Sequence, residues 1–143
     1  MLHVNPGRRE VRGRVYGGNL MLLQCAIGTG LLPSLRGALL ILEEVGESPY
    51  RIDRMLTHLA QSGSFRGLRG VATGSFKGCV HRKGYPELPL GTVLRDRLGV
   101  LGVPALAGLA VGHGARNLPF PHGARATLDP RRRAIVFEEG LVS

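Results

Sequence analysis

The sequence predicts an α/β fold: a single domain whose mixed, partly parallel sheet is flanked by helices. Three observations lead there. Segments with strand-like and helix-like apolar spacing alternate along the chain. Two strand candidates, residues 38–42 and 104–110, are continuous apolar runs of the kind that strands covered on both faces require. The last two candidates alternate in polarity and are joined by Asp129-Pro130, as in a hairpin.

Taken in order, residues 11–16 read as a short strand running into Gly17-Gly18, and Asn19 is placed to cap a helix over residues 20–27. Gly28, Thr29, Gly30 and Pro33 end that helix. The run Ala38-Leu39-Leu40-Ile41-Leu42 is the buried strand, and it stops at Glu43-Glu44. Ser48-Pro49 starts the next helix: the serine oxygen can accept an orphan N–H, and proline at the first helical position sacrifices no hydrogen bond. Ile52, Met55, Leu56 and Leu59 then form one apolar stripe that lasts until Gly63. Arg51 and Arg54 fall on its polar side. Residues 68–76 form a further strand, 90–98 a helix and 104–110 a buried strand; residues 124–128 and 134–137 close the order β-α-β-α-β-α-β-β-β. Residues 78–89, with His81-Arg82-Lys83-Gly84-Tyr85, form a loop insertion.

With 143 residues, 43% hydrophobic and 20% charged, the chain is long enough to bury a core without disulfides or a structural metal. Cys25 and Cys79 belong to no ligand spacing and sit in or beside apolar runs, as small core residues do. The N-terminus has no apolar segment of the secretory kind, and the longest apolar stretch, residues 98–112, is broken by Pro104. A soluble, cytoplasmic protein without a membrane span is therefore expected. The formal charge is 19 − 10 = +9, and 17 of the 19 cationic residues are Arg. They are scattered along the chain, and with 3 Tyr, 4 Phe and no Trp the stacking surfaces of a single-stranded nucleic-acid binder are scarce.

Two features follow buried strands, where open α/β sheets place their sites. Glu43-Glu44-Val45-Gly46-Glu47 follows Leu42, and Gly112-His113-Gly114 follows the strand near Ala110. A carboxylate that orients a histidine is the base half of a nucleophilic triad: the imidazole takes the nucleophile's proton and the acid fixes its tautomer. Such a pair should stand within hydrogen-bond reach in the folded chain. Glu44 and Glu47 read instead as solvated or helix-entry carboxylates. None of the six serines lies in a G-x-S-x-G elbow, and Ser48 is explained by its cap. His122 has little claim to be a second functional histidine.

Gly17-Gly18-Asn19-Leu20, Ile27-Gly28-Thr29, the block from Leu40-Ile41-Leu42-Glu43-Glu44-Val45-Gly46-Glu47-Ser48-Pro49-Tyr50 to Arg51-Ile52-Asp53-Arg54-Met55-Leu56, and Gly108-Leu109-Ala110-Val111-Gly112-His113-Gly114 resemble the serine L,D-carboxypeptidases. That family includes the muramoyltetrapeptide carboxypeptidases of peptidoglycan recycling and the related microcin-immunity peptidases. The similarity covers the family's C-terminal domain only, from about Tyr16 onward. It implies that domain's swivelling β/β/α-like fold, with residues 1–15 as lead and first strand and 16–143 as the domain. Carried over residue by residue, it implies that Glu43 and His113 are the acid and base of a Ser-His-Glu triad. The nucleophilic Ser and its oxyanion donors belong to the family's N-terminal domain and have no counterpart here. Where the family often has Leu before a glycine, this chain has His122 before Gly123, and the loop of residues 78–89 is variable in the family.

The resemblance implies hydrolysis of a terminal D-amino acid, D-Ala, from a muropeptide tetrapeptide, without cofactor or metal, and with the N-terminal Ser-bearing domain as partner. Alone, the 143 residues are expected to be inactive. The oligomeric state stays open, a homodimer included. The competing readings are a non-catalytic peptide-binding or assembly module and a basic nucleic-acid-binding domain. Glu43 and His113 together favour the enzyme, and scattered arginines disfavour the nucleic-acid reading.

Overall fold

The computed structural model of the chain describes residues 9–81 and 86–138. Nine elements follow in the expected order: β1 (Val11–Asn19), α1 (Leu20–Cys25), β2 (Ala38–Val45), α2 (Pro49–Gln61), β3 (Gly70–Lys77), α3 (Leu90–Gly99), β4 (Ala105–Ala107), β5 (Arg125–Asp129) and β6 (Ala134–Phe137). They form one six-stranded sheet, ordered β4-β3-β2-β1-β5-β6. The first four strands are parallel, and β5 and β6 join antiparallel.

Because β1, β2, β3 and β4 progress in one direction, right-handed crossovers place all three helices on one face. The alternation of β2 divides the core accordingly. Ala38, Leu40 and Leu42 pack with Leu20 of α1, with Ile52, Leu56 and Leu59 of α2, and with Val93, Leu94 and Leu98 of α3. Leu39 and Ile41 point the other way, to Val15, Ala72, Leu106, Ala126 and Leu128, where Leu109, Val111 and Phe120 of a long loop cover them. The sheet is strongly curled. A Cβ placed on Gly70 of β3 would meet Val11 Cγ2 at 3.1 Å and Leu128 Cδ1 at 3.3 Å, although two strands separate β3 from β5. In a flat sheet that separation would be about 14 Å.

Several boundaries differ from the sequence expectation. β1 continues through Gly17 and Gly18 to Asn19, at the price of two glycines with φ of 143° and 136°. α1 ends at Cys25 rather than at residue 27, which leaves Cys25 exposed while Cys79 is buried. β2 runs past Leu42 to Val45, because its two acidic residues find partners inside. Of residues 104–110 only three pair as β4; the chain leaves the sheet at Gly108, whose φ is 87°. Ser48 stands at the N-cap of α2 without capping it; its Oγ is buried and has no partner among the described residues. Glu87 takes that role, its Oε2 accepting from Tyr50 N at 3.3 Å. Of the loop insertion at residues 78–89, the stretch 82–85 lies outside the described residues. No helix among the described residues is long and apolar enough to cross a membrane.

Candidate active site

The carboxyl ends of β1 and β2 meet where Asn19 pairs with Glu43. Period-two alternation sends the neighbouring carboxylates to opposite faces. Glu44 follows Leu40 and Leu42 to the helix face. There it accepts from Asn19 Nδ2 at 2.8 Å, Met21 N at 2.9 Å and its neighbour Val45 N at 2.9 Å. Asn19 Oδ1 accepts from Leu22 N at 3.2 Å, so Glu44 and Asn19 together satisfy the first turn of α1. Of the two roles expected from sequence, solvated or helix-entry carboxylate, Glu44 takes the second, as a buried capping group at the entry of α1. Glu47 is half-buried and pairs with Arg51 at 3.3 Å, one helical turn on.

Glu43 follows Leu39 and Ile41 to the loop face. Opposite it, β3 carries one residue too many: Leu42 pairs with Thr73 and Glu44 with Phe76, so Gly74 and Ser75 share the place across from Glu43. This bulge releases backbone groups that anchor the loop after β4. The Thr73 carbonyl accepts from Gly108 N and Leu109 N, and Ser75 N donates to Val111 O at 2.8 Å. Farther on, Leu118 N donates to Ala110 O at 2.7 Å, and Asn117 Oδ1 accepts from Gly112 N at 3.0 Å.

The pinned loop sets His113 Nδ1 at 2.8 Å from Glu43 Oε2. The Glu43 side chain is 6% exposed and that of His113 55%. A carboxylate only accepts, so Nδ1 carries the proton in this bond, and the neutral ring keeps its lone pair on Nε2. No protein group among the described residues bonds to Nε2. The arrangement is a base oriented from behind by a buried acid and open in front.

Sequence reasoning had no signal for the packing around this pair. Gly112 has φ of 95°, and a Cβ there would stand 2.5 Å from Glu43 Oε2 and 2.8 Å from Ser75 Oγ. Ser75 Oγ is buried without a partner among the described residues. No Ser or Cys side chain bonds to His113 among the described residues, and burial pushes the Cys79 thiol up from its ordinary value. His122 is held locally: Nε2 lies 2.7 Å from the Gly17 carbonyl oxygen, and the ring stacks near Phe120 and edge-on to Tyr16. Among the described residues no three His, Cys, Asp or Glu side chains gather as a metal-binding group.

Residues 12–128 match the model of the LD-carboxypeptidase C-terminal domain. The murein tetrapeptide carboxypeptidase of Pseudomonas aeruginosa is 35% identical over 131 residues, which are 91% of this chain and 42% of the relative. The crystal structure of muramoyltetrapeptide carboxypeptidase from Oxalobacter formigenes superposes with a TM-score of 0.75 at 28% identity, over 88% of this chain and 43% of that one. The microcin C7 self-immunity protein, solved also with aspartyl sulfamoyl adenosine, gives a TM-score of 0.82 at 26% identity over 96% of this chain and 41% of its own. The chain spans about two fifths of the length of the curated relatives it matches. With residues 12–128 accounted for by that domain, the chain belongs to the LD-carboxypeptidase family, whose C-terminal domain it represents.

Proposed function

We infer that this chain supplies the acid and base of a serine L,D-carboxypeptidase that removes terminal D-Ala from murein tetrapeptides during peptidoglycan recycling in the cytoplasm. The observation that carries the reading is the 2.8 Å contact from His113 Nδ1 to the buried Glu43, with the other ring nitrogen open. The nucleophilic serine comes from the part of the longer relatives that this chain does not cover. In the reaction, His113 Nε2 takes the hydroxyl proton as the serine oxygen attacks the peptide carbonyl. Glu43 holds the ring and stabilises the imidazolium without itself taking the proton. The tetrahedral intermediate collapses as His113 hands that proton to the leaving amine of D-Ala. Water, activated by the same ring, then hydrolyses the acyl-enzyme. The names of the relatives support a murein peptide as substrate, and peptide-like ligands of the microcin-immunity neighbour support a site for a small acidic peptide.

The test is D-Ala release from a muropeptide tetrapeptide. The 143 residues alone should release none, and joining the serine-bearing N-terminal part of a close relative should restore turnover. In that assembly His113→Ala should abolish release, and Glu43→Gln should lower it by about four orders of magnitude by freeing the wrong tautomer. Release by the chain alone that survives His113→Ala would refute the half-site.

A further inference from the structure

At the opposite pole of the sheet, about 16 Å along β1 from Asn19, a cleft of about 330 Å³ is lined by Arg12, Arg14, Arg69, Arg125, Gly37 and Glu138 among others. The strand register explains how the arginines converge. Arg12 and Arg14 are two apart on β1 and share a face, and Arg125 of β5 lies directly opposite Arg14. Arg69 enters just before β3, its Nη1 donating to the Arg12 carbonyl at 3.0 Å. Arg14 Nη1 donates to the Gly123 carbonyl at 2.6 Å. Both groups are therefore held by neutral backbone acceptors that fix their position and leave their charge in place.

Like charges directly opposite across two strands destabilise the pairing. Among the described residues the repulsion has little internal relief: four guanidiniums face one carboxylate, 4 − 1 = +3, and none of the four forms an ion pair. Arg51, Arg97 and Arg132, by contrast, each sit against Glu47, Asp53 or Asp129. A guanidinium fork matches the oxygens of a phosphoryl group, and several forks around one cleft suit a multiply charged phosphate rather than a lone carboxylate.

We propose that the Arg12–Arg14–Arg69–Arg125 cleft is a binding site for a small ligand bearing a doubly ionised phosphate or diphosphate group. It is separate from the Glu43–His113 pair and requires no catalytic role for either residue. Binding neutralises the Arg14–Arg125 pair, so occupancy stabilises the fold.

The experiment titrates the full chain with inorganic diphosphate, inorganic phosphate and a sugar phosphate at constant ionic strength, by calorimetry and by thermal melting. Saturable one-site binding with a raised Tm is expected. Diphosphate binding tightest marks a diphosphate ligand, and equal binding of phosphate and sugar phosphate marks a phosphomonoester. The double variant Arg14→Gln/Arg125→Gln should weaken binding at least about tenfold and lose the ligand-induced rise in Tm. Its unliganded Tm should stay close to that of the parent, since relief of the repulsion offsets the lost exposed Arg14–Gly123 bond, which separates loss of binding from loss of fold. Arg54→Gln/Arg95→Gln removes the same charge from exposed helix positions and should leave affinity within about twofold. Three results would overturn the proposal: no saturable binding by any of the three anions, equal weakening in both double variants, or a random DNA duplex that outcompetes diphosphate through the same arginines.

Discussion

Gly112 is the residue on which the Glu43–His113 geometry turns. Its φ of 95° and the 2.5 Å from a notional Cβ to Glu43 Oε2 mean that any side chain would both strain the backbone and push the carboxylate off the imidazole. Gly112→Ala should therefore cost about 1–3 kcal/mol in stability and nearly abolish D-Ala release in the assembled enzyme. Gly114→Ala has no positive φ, and its Cβ would stand 3.3 Å from Ser75 Cβ, a tight contact that a shift of a few tenths of an ångström relieves, so it should be milder in both. Urea melts and the release assay separate the two; equal effects would deny Gly112 its special place. The pairing of Glu43 with His113 was legible in the sequence from the motifs that resemble the L,D-carboxypeptidases more than from strand ends, since Glu43 lies inside β2 and His113 well beyond β4. The roles of Ser75 and Asn117 were not, since a short polar residue reads as loop wherever it stands; Gly112 stood in the motif beside His113, but only tertiary placement shows its close approach to Glu43.

The element order was legible because the apolar periods switch cleanly between strand and helix, and the Asp129-Pro130 hairpin is marked by its own turn chemistry. What escaped was set by long-range partners. A charge at the end of a strand reads as the strand's end, so the burial of Glu43 and Glu44 in β2 was invisible without His113 and α1. The bulge in β3 likewise depends on the loop that docks there. Capping shows the same pattern: α2 bonds Glu87 from a distant loop although Ser48 stands at its N-cap. Two carboxylates that look alike in sequence should therefore behave differently. Glu44→Ala leaves half-buried donors on Met21 and Asn19 unpaired and should cost roughly 1–3 kcal/mol. Glu47→Ala breaks only a partly exposed pair with Arg51 and should cost less than about 1 kcal/mol. Urea midpoints for the two variants check this directly, and similar midpoints would mean that Glu44 does not hold α1 in place.

For the molecule as a whole, the curl of the sheet joins its stability to the placement of His113. Leu128 of β5 is fully buried and comes close enough to Gly70 of β3 to bridge the concave face, and the same cluster is covered by Leu109 and Val111 from the loop that carries His113. Removing its side chain withdraws contacts from β1, β2, β3 and the loop at once. Leu128→Ala should cost about 2–5 kcal/mol, depending on how far the site collapses around the cavity. Val136 on the neighbouring β6 is 51% exposed, and Val136→Ala should stay within about 0.5 kcal/mol. The loop's hydrogen bonds to the β3 bulge, above all Ser75 N to Val111 O and Gly108 N to Thr73 O, report on the coupling. In hydrogen exchange under native conditions the Leu128 variant should lose protection at Gly108, Leu109 and Ser75 by the same free energy that it loses globally, because these amides open with the concave cluster rather than with the loop alone. If those amides keep parental protection while the midpoint falls, the loop is held by the bulge independently of the core, and the position of His113 depends on β3 rather than on closure of the sheet.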